Sequence, residues 1–121
     1  MDLQELKHDL LTNKYTKVYH EKNFKYNAPH KFHIAAAKGN HDELLQEVRF
    51  QEGPINEAGV NGVMNEDLIA MVICRLDHFQ DSEFYCYENY MAIMKLEEAL
   101  LWLRKRTMGR EQRGVEGTHE V

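Results

Sequence analysis

Residues 65–80, NEDLIAMVICRLDHFQ, decide the fold class. Asn65 reads as a helix N-cap, and Glu66 and Asp67 follow in the first turn, where the helix dipole favours acids. Leu68, Val72, Leu76 and Phe79 then fall on one stripe, widened by Ile69 and Ile73, which is the spacing of an amphipathic helix. The loop DSEFYC follows at 81–86. A second helical pattern runs from about Tyr87 to about Glu111, with Ile93, Leu96, Leu100 and Leu103 on its main stripe and Ala92, Ala99 and Trp102 beside it. Two apolar stripes joined by a short loop predict a long antiparallel helical hairpin.

Upstream the period changes from helical to alternating. Phe32, Ile34 and Ala36 alternate with His33 and Ala35, Lys38-Gly39-Asn40 is a turn signal, and Leu44, Val48 and Phe50 share a face, so 31–37 and 43–51 are expected to form a β-hairpin. Gly53-Pro54 stops it, and Gly59–Gly62, GVNG, is a tight loop with two glycines available for positive φ. Residues 13–31 fit a strand or a mobile segment. Residues 1–12 are expected to form a short amphipathic helix, with Leu3, Leu6 and Leu10 at i, i+3 and i+7. The expected fold is therefore α+β: a small N-terminal antiparallel sheet followed by a helical hairpin, with residues 1–30 as an extension and 31–121 as the domain proper.

At 121 residues, 43% hydrophobic and 29% charged, the chain has the composition of a globular domain. Its net charge of −5 argues against bulk attraction to nucleic acid or anionic membrane. No apolar run approaches the roughly 18 residues of a membrane span. The N-terminus, MDLQELKHDLL, lacks the basic start and apolar stretch of a secretory signal, so a cytoplasmic protein is expected. Two cysteines, Cys74 and Cys86, make neither a disulfide framework nor a four-ligand zinc site. The charge is unevenly placed. Arg104, Lys105, Arg106, Arg110 and Arg113 face one acid, Glu111, within ten residues, which suits a small anionic partner.

The ends of the second stripe carry the chemistry. Asn89 lies four residues before Ile93, Arg106 three after Leu103, and Arg110 four further on. Basic residues at a helix end also simply offset the dipole, and that reading stands beside the functional one. At 1.5 Å per residue, Asn89 and Arg106 are on the order of 25 Å apart along one helix. The hairpin turn puts Asn89 near Phe79, while both arginines lie at the far end. One chain cannot bring all four to one small ligand. Two chains with their long helices antiparallel could, giving two equivalent sites in a two-fold dimer. An aromatic to stack on a base, an amide to read its edge and two arginines for phosphates suit a nucleotide.

These residues sit in a sequence that resembles a phage-encoded family. GPINEAGVNGVMNEDLIAMVICRL, HFQDSEFYCYEN, KLEEALLWLRKRT and RGVEGTH, between about Phe50 and Val121, are similar to the hairpin domain shared by Thoeris anti-defence proteins and anti-CBASS sponge proteins. The resemblance implies a protein that binds cyclic nucleotide immune signals, glycocyclic ADP-ribose above all, and holds them without cleavage. It implies no cofactor and no metal. Some members take cyclic di- or trinucleotides at a separate site as higher oligomers, so the implied assembly is a homodimer, with a hexamer of three dimers as the larger form. Carried over residue by residue, the family's aromatic, asparagine and arginine pair fall on Phe79, Asn89, Arg106 and Arg110. Arg113 and the loop from Gly114 to His119 are expected to close over the ligand. Tyr87 and Tyr90 depart from the family pattern, and the N-terminal 28 residues have no recognised counterpart.

Other constellations are weaker. His30 and His33 fall on opposite faces of a strand and do not predict a shared metal. Thr118-His119 is half of a phosphoesterase signature without its second copy. Cys86 with His78 lacks a group to orient the histidine and predicts packing roles. Met64, Met71, Met91 and Met94 are expected as core filler, and Tyr85, Tyr87 and Tyr90 as packing or interface residues. The rival functions are an enzyme that degrades the same signal and an RNA- or protein-binding module that uses the basic helix end.

Overall fold

The computed structural model describes residues 2–37 and 43–121. Chain contacts divide it into two compact units, Met1–Val63 and Met64–Val121. The division falls at 63/64 and not at 30/31, because the first thirty residues supply two strands of one sheet.

That sheet is an antiparallel meander in the order β1-β2-β3-β4: β1 Leu3–Glu5, β2 Thr16–Glu21, β3 Lys31–Ala36 and β4 Leu44–Arg49. Gln4 pairs with His20, Val18 with Ile34, and Phe32 with Val48. The β3–β4 register slips between Ile34 and Ala35, so that Ala35 faces Leu44. This is the expected hairpin; its turn signal at Lys38-Gly39-Asn40 lies outside the described residues. The helix expected at 1–12 is corrected to a strand at Leu3–Glu5. One or two isolated helical turns carry the cost of nucleation, whereas the edge of β2 offers ready partners. Leu6 N–H donates to Val18 O at 2.8 Å, and Lys22 N–H to Asp2 O at 3.0 Å.

Inside this unit Ala35 is buried and the Phe32 and Phe50 rings meet edge to face at 5.4 Å. Glu21 and His30 are buried polar groups, and each has a partner: Glu21 Oε1 accepts the His30 backbone N–H at 2.9 Å, and the His30 ring Nε2 lies 2.6 Å from Lys25 O. After β4, Pro54 opens a single helical turn, α1 Ile55–Ala58, that the sequence pattern did not suggest. The chain then returns so that Val63 N–H donates to Arg49 O and Gln51 N–H to Val63 O, both at 2.8 Å. Gly59 has φ +74° as expected, but Gly62 serves a different need. A Cβ there would lie 2.4 Å from the Phe50 carbonyl carbon and oxygen.

The second unit is the helical hairpin, α2 Asn65–Gln80 and α3 Tyr87–Arg113. Asn65 is not the N-cap. Met64 is, and the Asp67 carboxylate accepts its N–H at 2.9 Å, so the acid three residues further on provides the capping oxygen. The expected stripes form the seam: Ile93 is buried, and Leu68, Leu76, Leu96, Leu100 and Leu103 are half-buried. Two helices bury only the facing strip of each, so Met71 and Met94, expected as core filler, are exposed instead, as are Leu101 at 71% and Trp102 at 62%. Gly114, at φ +72° and ψ +21°, ends α3. Its N–H donates to Glu111 O and the Val115 N–H to Arg110 O, each at 3.0 Å, the paired bonds of a glycine-terminated helix. Among the described residues no helix is long and apolar enough to cross a membrane.

Candidate functional site

The turn between the helices holds the first group of candidate residues. The Gln80 side chain clamps Cys86 from both sides: its Oε1 accepts the Cys86 N–H at 3.0 Å and its Nε2 donates to the Cys86 carbonyl at 2.9 Å. Ser82 Oγ donates to Phe79 O at 2.6 Å and accepts the Phe84 N–H at 3.1 Å. Cys86 caps α3, its Sγ accepting the Asn89 N–H at 3.4 Å. Phe79 and Asn89, ten residues apart in sequence, are thus fixed to one rigid corner. Phe79 is 37% exposed, and the Arg75 guanidinium carbon lies 5.2 Å from its ring centroid. Arg75, His78, Phe79, Ser82 and Phe84 line an open hollow of about 470 Å³.

The C-terminal end of α3 holds the second group. Trp102, Lys105, Arg106, Gly109, Arg110 and Arg113 line an open hollow of about 410 Å³. The bases there are in different states. Arg104 donates to Glu111 Oε1 at 3.1 Å. Lys105 Nζ lies 5.1 Å from the Trp102 ring centroid. Arg110 Nη2 donates to three main-chain oxygens of the tail, Val115 at 3.0 Å, Thr118 at 3.1 Å and Glu120 at 2.7 Å, and Arg113 Nη1 donates to Val121 O at 2.9 Å. Thr118 Oγ1 donates to Val115 O at 2.6 Å and tightens the same tail turn. Arg106 is exposed and has no protein partner among the described residues. The tail from Gly114 is therefore folded onto the arginines, and Arg110 holds it there.

Phe79 and Asn89 flank the same interhelical turn, Phe79 before it and Asn89 in the first turn of α3, and Arg106, Arg110 and Arg113 line one hollow. The two groups are kept apart by one continuous helix, by about 25 Å at its rise per residue. Sequence reasoning missed Arg75, although its place four residues before Phe79 on a helix was a signal. It also missed the Gln80–Cys86 clamp and the tail oxygens on Arg110, which depend on where a turn and a glycine-ended helix send the backbone. His78 meets Cys74 rather than Cys86, with Nδ1 2.8 Å from Cys74 O. Both cysteines are free.

Residues 42–108 match the family described as "Acb2/Tad1, hairpin domain". The chain is also 53% identical to "Thoeris anti-defense 1" of Bacillus phage SBSphiJ7, over 141 aligned positions that take in 98% of this chain and 99% of that protein. The chain belongs to the Acb2/Tad1 hairpin family. The family match covers the hairpin from β4 to beyond Arg106, and the phage relative extends the likeness through the N-terminal strands, which therefore do have a counterpart. Within this chain's Acb2/Tad1 hairpin the corner at Phe79 and the basic end at Arg106 are the two candidate positions.

Proposed function

We propose that this protein is a phage anti-defence sponge, acting in the host cytoplasm, that binds a cyclic nucleotide signal and holds it without cleaving it. The preferred ligand is glycocyclic ADP-ribose, and the site is shared by two copies of the chain with antiparallel long helices. One observation carries the reading. An aromatic–amide corner and a cluster of arginines lie at opposite ends of one rigid helix, each with half of what a nucleotide needs. Reversing a second copy alongside brings Phe79 and Asn89 of one protomer to Arg106, Arg110 and Arg113 of the other. The name of the phage relative supports an anti-defence role.

The surface supports self-association. The accessible area is 9386 Å², whereas two separate domains of this combined mass would expose roughly 8,000 Å². The surplus is in part apolar, with Leu101, Trp102 and Met108 on α3 and Met71 and Val72 on α2 left exposed.

A sponge needs affinity and no chemistry. Charge-assisted bonds to phosphate contribute about 1.5–3 kcal/mol each and stacking of a base on Phe79 about 1–3 kcal/mol. A nanomolar complex requires about 12 kcal/mol net, which is reachable only where the site is ordered beforehand. The Gln80 clamp and the tail on Arg110 provide that order. The test has two parts. Analytical ultracentrifugation at micromolar protein should show a dimer or a multiple of it, and ligand released by heat from the complex should be chemically intact. A monomer removes the shared site, and a cleaved product makes the protein an enzyme. Binding that falls steeply with salt and is poorly competed by a dinucleotide points to RNA.

A further inference from the structure

We infer that Arg75 is a ligand-binding residue of the Phe79 corner, where its guanidinium donates to the acceptor edge of a purine stacked on the aromatic ring. The inference deepens the cyclic-nucleotide reading and rests on it. Arg75 stands one helical turn before Phe79 on α2, and its guanidinium carbon is 5.2 Å from the ring centroid, inside the range of cation–π attraction. A base that takes this ring face displaces the guanidinium to its edge, where the N–H donors of the planar head lie in the plane of the base. Here those donors have no ion-pair or hydrogen-bond partner among the described residues, although Asp77 and Asp81 belong to the same helix and its end. Arg75 also lines the 470 Å³ hollow together with Phe79 and Phe84, so the unused donors and two aromatic side chains share one space.

The other arginines cannot take this role from within the same chain, and His78, which shares the hollow, has its Nδ1 on the Cys74 carbonyl. Arg106, Arg110 and Arg113 lie at the far end of α3, and the first turn of α3 beside this corner offers an amide, Asn89, and no cation. The two ends therefore divide the ligand by chemistry. Phosphates go to the α3 arginines, and the base goes to Phe79 with Asn89 and Arg75 on its edges. Adenine presents one acceptor, N7, beside its N6 amino donor, so Arg75 donates a single N–H to N7 in the plane of the base, a geometry that a planar guanidinium holds better than an ammonium group.

Calorimetry with glycocyclic ADP-ribose and its 7-deaza-adenine analogue, on the wild-type protein and on Arg75→Ala and Arg75→Lys, tests this. Arg75 is exposed, so both variants should keep wild-type helicity and melting behaviour. Arg75→Ala is expected to weaken binding of the parent ligand at least ten-fold, with Arg75→Lys closer to alanine than to wild type. The 7-deaza analogue should bind wild type at least ten-fold more weakly than the parent, and should bind Arg75→Ala as well as the parent does. Affinity of Arg75→Ala within three-fold of wild type, tighter binding by that variant, or independent effects of the side chain and the N7 atom would each overturn the inference. The analogue requires no mutation, so a misfolded variant would not rescue the idea. If the wild-type protein binds no glycocyclic ADP-ribose, the functional reading fails and takes this inference with it. If it binds and Arg75 is silent, only the inference fails.

Discussion

Arg106 and Arg110 have the same side chain four residues apart, yet the structure gives them different duties, and removing each should fail differently. Arg106 is exposed and contacts no protein group among the described residues, so Arg106→Ala should leave folding stability within about 0.5 kcal/mol of wild type. Its cost should fall on the ligand alone. A charge-assisted bond to phosphate is worth about 1.5–3 kcal/mol, which lowers affinity by roughly 10- to 150-fold. Arg110→Ala should cost at least as much affinity. It also frees the oxygens of Val115, Thr118 and Glu120, so the last seven residues should lose their main anchor and keep only the Arg113 bond to Val121 O among the arginine contacts. Calorimetry with glycocyclic ADP-ribose measures the first effect and amide hydrogen exchange over 115–121 the second. Sedimentation should stay unchanged in both variants. Arg106→Ala with affinity within three-fold of wild type would refute the assignment of the phosphates to this end. Unchanged exchange in Arg110→Ala would refute the anchoring role.

Three further outcomes follow from the geometry. Gly62→Ala places a methyl group 2.4 Å from the Phe50 backbone, which cannot rotate aside, and should destabilise the sheet unit by about 2–4 kcal/mol in urea titration. Gly114→Ala forces a non-glycine residue to φ +72° and should cost about 1–2 kcal/mol, with faster exchange in the tail and weaker ligand binding by calorimetry. Gln80→Ala removes two bonds of 3.0 and 2.9 Å to the half-buried Cys86 backbone. It should lower the thermal midpoint and weaken ligand binding, because Phe79 and Asn89 lose their shared anchor; equal affinity and midpoint would show that the turn holds itself.

Much of the candidate site was legible before any coordinates. The stripe from Ile93 to Leu103 pointed to Asn89 at one end and Arg106 and Arg110 at the other, and α3 runs continuously between them. Arg75 was overlooked because a lone arginine on a helix has an ordinary solvated reading, and only its position beside Phe79 gives it another. The first twelve residues misled because Leu3, Leu6 and Leu10 satisfy the helical period. That period does not record that the edge of β2 lies within reach. Met71 and Met94 misled for a related reason: hydrophobicity indicates burial, but not which molecule provides it.

The α+β order, the approximate span of α2, the β-hairpin and the gathering of positive charge at the end of α3 were readable from the sequence, because period and local charge are properties of neighbours along the chain. Only the tertiary structure decided the first strand, the clamp of Gln80 on Cys86, the space required at Gly62 and the tail oxygens gathered by Arg110. Each of these joins groups whose separation depends on how the backbone turns between them. A hydrogen bond is made or lost over less than an ångström, and no count of residues fixes that distance.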